Sequence, residues 1–304
     1  MIARAEGSTT PRDISAAAVA SFEGSPDPRL SELMQSLVRH LHGFASEVRL
    51  TEEEWERGIR LLTETGHLTD ERRQEFILWS DALGLSMLVD ALAHVLPAGA
   101  TETTVLGPFY VPGSPARSYG ESIAEEQAGT PAWVYGRVLD LVGAPIAGAE
   151  LDVWQNGDNG LYAVQDPDAP GEHLRGRFFS REDGTYAFLG MRPVPYTIAD
   201  DGPVGRMLAA TGRLPWRPGH IHAIVRAPGY KSVATHIFDA ESRYLDSDAV
   251  FAVKPSLLRQ FRSRAADDPD RPAGVEGEWC SVENDVVLVP GNDDREVADP
   301  GRTA

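Results

Sequence analysis

The sequence predicts an α+β protein, in which a helical N-terminal region is followed by an antiparallel β-sandwich. Three observations lead to this prediction. Apolar residues recur at spacings of three and four between residues 28 and 96. From about residue 100, short β-branched and aromatic runs take over, separated by Gly, Pro, Asn and Asp. Strands this short and frequent are typical of an antiparallel sandwich, whereas a parallel α/β sheet alternates strands with helices.

The helical region is assigned to residues 28–100. Its first helix presents one apolar face, formed by Leu30, Leu33, Met34, Leu37, Val38, Leu41 and Phe44. A capping box of Thr51 and Glu54 begins the second helix. A third helix continues to about residue 95, where Pro97 prevents further extension. Residues 1–27 are polar and interrupted by prolines, so we expect a flexible arm there.

The sandwich is assigned to residues 101–304. Its predicted strands are 133–139, 149–154, 185–189, 220–227 and 234–238. Turn-forming segments such as VGAPIAGA, QNGDNG, EDGT and APGY separate them. The segment EWCSVENDVVLVP in the C-terminal tail is expected to supply one more strand.

Composition and charge exclude several classes of site and partner. The chain has 304 residues and a formal net charge of −18, so nucleic acid and anionic membrane surfaces are not expected partners. The single cysteine, Cys280, excludes an internal disulfide and a metal site built from several thiolates. No apolar run approaches the roughly 18 residues of a membrane span. The N-terminus lacks the apolar core of a secretory signal, so we expect a cytoplasmic protein.

The sharpest local signal for chemistry is the segment RPGHIH at 217–222. Side chains alternate along a strand, so His220 and His222 should project from one face, about 7 Å apart, and can bind one metal ion. The pattern is common and specifies no metal, and a pair of core or solvated histidines would also produce it. Carboxylates, other histidines such as His173 and His236, and tyrosines remain candidates for the further ligands.

Arg217 precedes the first histidine by three residues. It is either a surface arginine or a fixed cation that holds negative charge developing on a bound substrate. The sequence contains no GxxxxGK[ST], no GxGxxG after a strand, no HExxH and no GxSxG. Nucleotide cofactors and serine chemistry therefore have no support in the sequence.

Seven segments, in order, resemble the intradiol dioxygenases that act on catechols, and within that family the hydroxyquinol 1,2-dioxygenase branch. These segments are LVRHLHGFASEVRLTEEEW, RRQEFILWSDALGLSMLVDAL, TVLGPFYVPGSP, LDVWQNGDNGLY, YTIADDGPVG, WRPGHIH and DSDAVFAVK. The resemblance extends from about residue 28 to about residue 258. It implies a helical linker domain that builds a homodimer, followed by a β-sandwich that carries the metal.

The resemblance also implies the metal and its ligands. These are a mononuclear, non-haem ferric ion held by Tyr162, Tyr196, His220 and His222, with Arg217 as the active-site arginine. Tyrosinate is a hard anionic donor that favours Fe(III), and imidazole suits iron in either oxidation state. In the implied mechanism, Tyr196 leaves the iron as the diol binds and acts as a base, while Arg217 stabilises negative charge. Dioxygen is the co-substrate, and no external electron donor is needed.

A substrate pocket is implied in the same way, formed by Leu78, Asp81, Val105, Leu106, Gly107, Ile198, Arg217, His236 and Val250. The carboxylate of Asp81 would accept a hydrogen bond from a third ring hydroxyl group. This favours hydroxyquinol (1,2,4-trihydroxybenzene) as substrate, with 3-hydroxy-cis,cis-muconate or maleylacetate as product. Thr197 and Ala199 replace two prolines found in comparable relatives, which leaves the pocket floor less restrained.

Three alternatives stay open at this stage. Catechol or chlorocatechol 1,2-dioxygenase activity would give cis,cis-muconates. A prealbumin-like binding module without activity would share the segment GRVLDLVGAPIAGAELDVWQ but would not need both tyrosines and both histidines. A protocatechuate-type enzyme is disfavoured by the helical region. The apolar face at 30–44 could enclose an amphiphilic lipid at the dimer contact, although plain helix packing would produce the same pattern.

Overall fold

The computed structural model describes residues 9–70, 73–124, 129–169 and 171–291. By its internal contacts the chain divides into two compact units, Met1–Glu64 and Thr65–Ala304. The division falls within a helix and not at the domain boundary near residue 100 that the sequence indicates.

The N-terminal unit is helical. Its helices are α1 (Pro11–Ala20), α2 (Pro28–Glu47) and most of α3 (Glu52–Leu68). The capping box predicted for α3 is present, because Glu54 accepts a hydrogen bond from the Thr51 backbone at 2.9 Å and the Thr51 hydroxyl accepts one from the Glu54 backbone at 3.3 Å. Helix α1 lies in the segment for which a loose arm was predicted. A second capping box, of Thr10 and Asp13, begins that helix, and its Pro11 occupies a position where proline is tolerated.

The first helices of the larger unit form a sharp bend. Helix α4 (Glu75–Ala82) and helix α5 (Leu85–Ala93) meet at an angle of 76°, so the single third helix predicted from the sequence is wrong. Gly84 causes the break, because its φ of 74° is left-handed and ends the helical path. Among the described residues no single helix is long and apolar enough to cross a membrane, and only this bent pair passes such a test jointly, by length and composition.

Two five-stranded sheets follow. The first contains β1 (Pro131–Asp140), β4 (Thr185–Met191), β10 (Arg262–Arg264), β11 (Trp279–Glu283) and β12 (Val286–Leu288). The second contains β2 (Glu150–Trp154), β3 (Arg175–Phe179), β7 (His220–Arg226), β8 (Val233–Asp239) and β9 (Leu258–Arg259). A two-stranded ribbon of β5 (Tyr196–Thr197) and β6 (Trp216–Arg217) lies beside them, with helix α6 (Pro203–Ala210) between its strands in sequence.

The sheets are mixed and not purely antiparallel as predicted. Strand β1 runs parallel to both β11 and β12, and β8 runs parallel to β9. The remaining pairings between the described strands are antiparallel. A tight hairpin always gives antiparallel neighbours, whereas a strand that returns after a long connection can lie in either direction. The local turn signals on which the prediction depended could not detect such returns.

One apolar core joins the two sheets. Val134 and Phe188 from the first sheet share a buried cluster with Val153, Ile221 and Val225 from the second. Alternation along β7 points Ile221 and Val225 into this core and His220 and His222 to the opposite face of the sheet. The second sheet therefore uses one face for packing and has its opposite face available for chemistry.

Candidate active site

Three neighbouring strands present aromatic and imidazole rings on the face of the second sheet that points away from the core. The register pairs Trp154 on β2 with His222 on β7, and His222 with His236 on β8. Residues directly opposite each other in an antiparallel pair share a face. His220 precedes His222 by two positions, so it lies on this face too, while Ile221 enters the core. The sequence predicted this shared orientation of the two histidines.

The three imidazoles form a buried cluster that could hold a metal ion. One ligand atom from each of His220, His222 and His236 lies within 4.8 Å of the others. The Nε2 atoms of His220 and His222 are 3.1 Å apart, and His220 Nδ1 lies 2.7 Å from the carbonyl oxygen of Pro218. A proton on that Nδ1 leaves Nε2 as a free lone pair. Burial lowers the pKa of all three imidazoles well below the ordinary value, which favours the neutral form that binds metals.

Tyr162 reaches this cluster from the loop that follows β2. Its hydroxyl oxygen lies 3.0 Å from His222 Nε2, and its ring is stacked on Phe109 at a centroid distance of 4.6 Å. Burial, together with the neighbouring Tyr196, raises the pKa of Tyr162 well above its ordinary value. The phenolate form of this residue therefore requires a cation close by.

Tyr196 approaches from a different element, the short ribbon of β5 and β6. Pairing in that ribbon sets Tyr196 directly opposite Arg217, and the Tyr196 hydroxyl oxygen accepts a hydrogen bond from Arg217 Nη1 at 3.1 Å. The Tyr196 and Tyr162 rings lie 5.4 Å apart, centroid to centroid, and nearly perpendicular. The four side chains that the family resemblance implies as metal ligands thus meet in one buried cluster.

This donor set fits a single metal ion. His222 Nε2 lies within hydrogen-bond distance of both His220 Nε2 and the Tyr162 phenol oxygen, and the Tyr196 phenol oxygen is hydrogen-bonded to Arg217. Phenol oxygens are hard donors, and together with imidazole they suit iron in its ferric state. In addition, the buried Nε2 of His236 has no hydrogen-bond partner among the described residues, although Thr104 Oγ1 is hydrogen-bonded to the Nδ1 of the same ring.

Arg217 is 3% exposed and is held by a buried carboxylate that the sequence reasoning did not single out. Its Nε donates to Asp248 Oδ1 at 3.1 Å, and the Asp248 carboxylate also accepts the backbone N–H groups of Val250 and Ala252. Burial alone lowers the pKa of Arg217, but the negative charges of Tyr196 and Asp248 outweigh it, so the net pKa is raised. The only available signal for Asp248 was its place in the segment DSDAVFAVK.

A cavity of about 490 Å³ opens beside the ring cluster. Seven of the nine predicted pocket residues line it, namely Leu78, Asp81, Val105, Gly107, Ile198, Arg217 and Val250. The other two lie elsewhere: Leu106 packs against the buried cluster of Trp154, Tyr162 and Tyr196, and His236 belongs to the imidazole cluster. The lining also contains residues that the sequence reasoning missed, including Arg73, Glu75, Phe109, Leu161 and Asp201.

Asp81 is one of two buried carboxyl groups that line this cavity, the other being Glu75. Burial raises its pKa above the ordinary value, while a hydrogen bond from Ser86 and the positive charge of Arg217 act in the opposite direction. The remaining walls near it, Leu78, Val105 and Val250, are apolar. A bound aromatic ring would therefore meet one polar group on that side, which can distinguish rings by their substituents.

Comparison with known proteins gives consistent results over both regions of the chain. Residues 27–101 match the family described as "Catechol dioxygenase N terminus", and residues 105–288 match the family described as "Dioxygenase". The hydroxyquinol 1,2-dioxygenase of Nocardioides simplex is 48% identical over 289 residues, which is 94% of this chain and 98% of the relative.

Solved structures with similar folds include dioxygenases named for hydroxyquinol and for catechol. The hydroxyquinol 1,2-dioxygenase of Pseudomonas putida DLL-E4 has a TM-score of 0.88 at 53% identity, covering 92% of this chain and 99% of that one. The catechol 1,2-dioxygenase of Pseudomonas arvilla C-1 has a TM-score of 0.80 at 26% identity, with 96% of each chain covered.

Proposed function

The chain belongs to the intradiol ring-cleavage dioxygenase family, and from that membership we propose that it opens hydroxyquinol with dioxygen. The product would be 3-hydroxy-cis,cis-muconate, or maleylacetate after tautomerisation. Two relatives named for hydroxyquinol are 48% and 53% identical to this chain, whereas two relatives named for catechol are 42% and 26% identical. A non-enzymatic binding module is excluded by family membership.

The observation that carries the proposal is the convergence of four side chains from three separate stretches. We propose that Tyr162, Tyr196, His220 and His222 hold one mononuclear, non-haem Fe(III). Support comes from the 3.0 Å and 3.1 Å distances that connect Tyr162, His222 and His220, and from the burial of all four residues. His236 then lies beside the ligand pair, with its ring fixed by Thr104.

Ferric iron, when bound, would supply Lewis acidity toward the diol oxygens. The protein's own residues provide the remaining functions. Tyr196 lines the cavity, so its phenolate form can accept a proton from an incoming hydroxyl group. Arg217 donates to the Tyr196 oxygen at 3.1 Å and so holds that oxygen in place. The same guanidinium has a buried Nη2 without a hydrogen-bond partner among the described residues, and this group can hold negative charge that develops on the substrate.

Asp81 supports hydroxyquinol as the preferred substrate. It is a buried carboxyl group beside the apolar side chains of Leu78, Val105 and Val250, and a third ring hydroxyl group could pair with it as donor or acceptor. Catechol or a chlorocatechol is the second candidate. The apolar side chains Leu78, Val105, Ile198 and Val250 favour it, because they would also accept an unsubstituted or chlorinated ring.

We propose a homodimer formed through the N-terminal helices. Leu33, Leu37 and Leu41 on α2 are each about half exposed, and a continuous apolar stripe of this kind is usually covered by a partner. A bound amphiphilic lipid at this contact and a cytoplasmic location remain predictions. The expected division into residues 1–27, 28–100 and 101–304 is supported by the two family matches, which meet between residues 101 and 105.

Oxygen uptake tests the proposal directly. Iron-loaded protein should consume one dioxygen per hydroxyquinol and should show a higher kcat/KM for hydroxyquinol than for catechol. A preference for catechol would support the second candidate. Absence of uptake with either diol, in protein with stoichiometric iron, would contradict the proposed activity.

A further inference from the structure

The cavity has a buried end and a solvent end, and the solvent end carries charged residues that the proposed chemistry does not use. Arg217 and Tyr196 at the buried end are almost fully covered. At the other end the side chain of Arg73 is 28% exposed and that of Asp201 is 72% exposed. We call Arg73, Glu75 and Asp201 the entrance cluster. Its members come from the segment at the start of α4 and from the loop that follows Tyr196.

Glu75 is the buried centre of this cluster. Its side chain is 0% exposed, yet it carries a carboxyl group. One oxygen accepts Arg73 Nε at 3.0 Å, and the other accepts the backbone N–H of Val204, at the start of α6, at 3.2 Å. A carboxylate without solvent is stable only when donors surround it, so the positions of these donors are tightly coupled.

Arg73 extends this coupling to the loop at 196–202. Its two Nη atoms donate to the two carboxylate oxygens of Asp201, at 3.1 Å and 2.8 Å. The loop backbone passes directly over the pair, because a Cβ atom at Gly202 would lie 2.5 Å from Glu75 Oε1 and 2.6 Å from Arg73 Nη2. A two-bond arginine–carboxylate contact fixes orientation as well as distance.

The loop that is held in this way carries groups that face the site. It begins at Tyr196 and includes Ile198, which lines the cavity and whose N–H donates to the Pro215 carbonyl oxygen at 2.9 Å. The start of the loop is thus fixed by the β5–β6 ribbon and its end by Arg73. Between these anchors, Thr197 and Ala199 leave the backbone without proline restraint.

We propose that Arg73 and Glu75 are positioning residues that hold the 196–202 loop at one distance from α4 and thereby determine which ring substituents the cavity admits. The choice of substrate in this inference rests on the proposed function, whereas the contacts that hold the loop do not depend on it. Loosening the loop lowers the fraction of molecules whose cavity is correctly shaped, which weakens apparent substrate binding. It also widens the cavity at Ile198, which reduces discrimination against larger rings.

The most informative variant is Asp201→Asn, because it removes the charge and one of the two accepting oxygens of the exposed contact and leaves the buried Arg73–Glu75 pair intact. Glu241→Gln is a matched control. Glu241 is also an exposed carboxylate, 61% by side chain, and it lies 2.8 Å from Arg192, an arginine that is 28% exposed and lies outside the lining of this cavity. Arg73→Met and Arg192→Met form a second matched pair, since each arginine contacts one buried and one exposed carboxylate.

Two measurements on the full-length, iron-loaded protein test the proposal. In hydrogen–deuterium exchange, Asp201→Asn should accelerate exchange in 196–202, whereas Glu241→Gln should not. In oxygen uptake, Asp201→Asn should raise the KM for hydroxyquinol roughly fivefold, the size expected for one partly exposed ion pair, with kcat changed less than about twofold. The ratio of kcat/KM for hydroxyquinol to that for 4-chlorocatechol should fall by a similar factor.

The outcomes separate this inference from the proposed function. If Asp201→Asn and Glu241→Gln give the same exchange and the same substrate ratio as the wild type, the positioning role is refuted. A wild type that consumes no oxygen with any diol would overturn the proposed function, while the exchange comparison would still decide the positioning role. The double variant Arg73→Met/Asp201→Asn should have the same KM for hydroxyquinol and the same exchange rate in 196–202 as Arg73→Met alone, because the two residues act through one contact.

Discussion

Replacement of Asp248 by asparagine should damage catalysis strongly, although Asp248 neither lines the cavity nor belongs to the proposed metal ligands. Asp248 is 2% exposed by side chain and pairs with Arg217 at 3.1 Å. An asparagine side chain at this position would keep the volume but remove the charge that balances the guanidinium. The backbone N–H groups of Val250 and Ala252 now donate to the two carboxylate oxygens, and in the variant one of them would face the amide N–H of the asparagine, which is also a donor.

The expected cost follows from the burial of this pair. Removing one partner of a buried ion pair typically destabilises a protein by about 3–5 kcal/mol. Tyr196 partly balances the remaining charge through its hydrogen bond to Arg217 Nη1, so we expect the low end, about 3 kcal/mol. At about 2–4 °C per kcal/mol for a unit of this size, Tm should fall by roughly 6–12 °C. Because Arg217 loses its fixed orientation, kcat should fall by about 100-fold.

Calorimetry and oxygen uptake on Asp248→Asn and on a control, Asp239→Asn, would measure both effects. Asp239 is equally buried and pairs with Arg192 at 2.6 Å, outside the lining of the cavity. The control should lose less stability, because Arg192 is 28% exposed and still contacts Glu241, and it should retain most of its kcat at temperatures well below its Tm. A kcat for Asp248→Asn within threefold of the control would refute the idea that Asp248 orients Arg217.

Three further predictions concern single side chains. Tyr162→Phe should lower the intensity of the visible charge-transfer band and reduce kcat by at least about 100-fold; an unchanged spectrum would exclude this oxygen as a ligand. Because burial raises the pKa of Asp81, its ionisation destabilises the fold at pH values above the ordinary carboxyl pKa. Asp81→Asn should therefore raise Tm at pH 7, with the gain vanishing as the pH falls toward about 4; a pH-independent difference in thermal unfolding would contradict this sign. Gly84→Ala should cost about 1–2 kcal/mol in chemical denaturation, since φ is 74° and the new Cβ would lie 3.2 Å from the Phe251 ring; equal stability would show that the α4–α5 bend can relax.

Local sequence patterns gave correct predictions for features that depend on one strand or one helix alone. The period-two alternation of β7 placed His220 and His222 on one face, and the capping box of Thr51 and Glu54 began α3 where expected. The same approach failed at Gly84, where one left-handed glycine divides a continuous apolar pattern into two helices. It also failed at α1, whose cap was hidden in a polar, proline-containing stretch.

The sequence by itself determined the family, through seven ordered segments, and the helical and sheet-rich regions, through short-range spacing. Spacing also pointed to His220 and His222, whereas Tyr162 and Tyr196 were implied only by the family resemblance. Only the tertiary structure decided which side chains from distant segments are in contact. The pairing of β5 with β6 sets Tyr196 opposite Arg217, and Asp248, 31 residues further along the chain, supplies the buried countercharge. Such contacts follow from the path of the backbone between distant segments, and a buried charge acquires its partner only when the chain has folded around it.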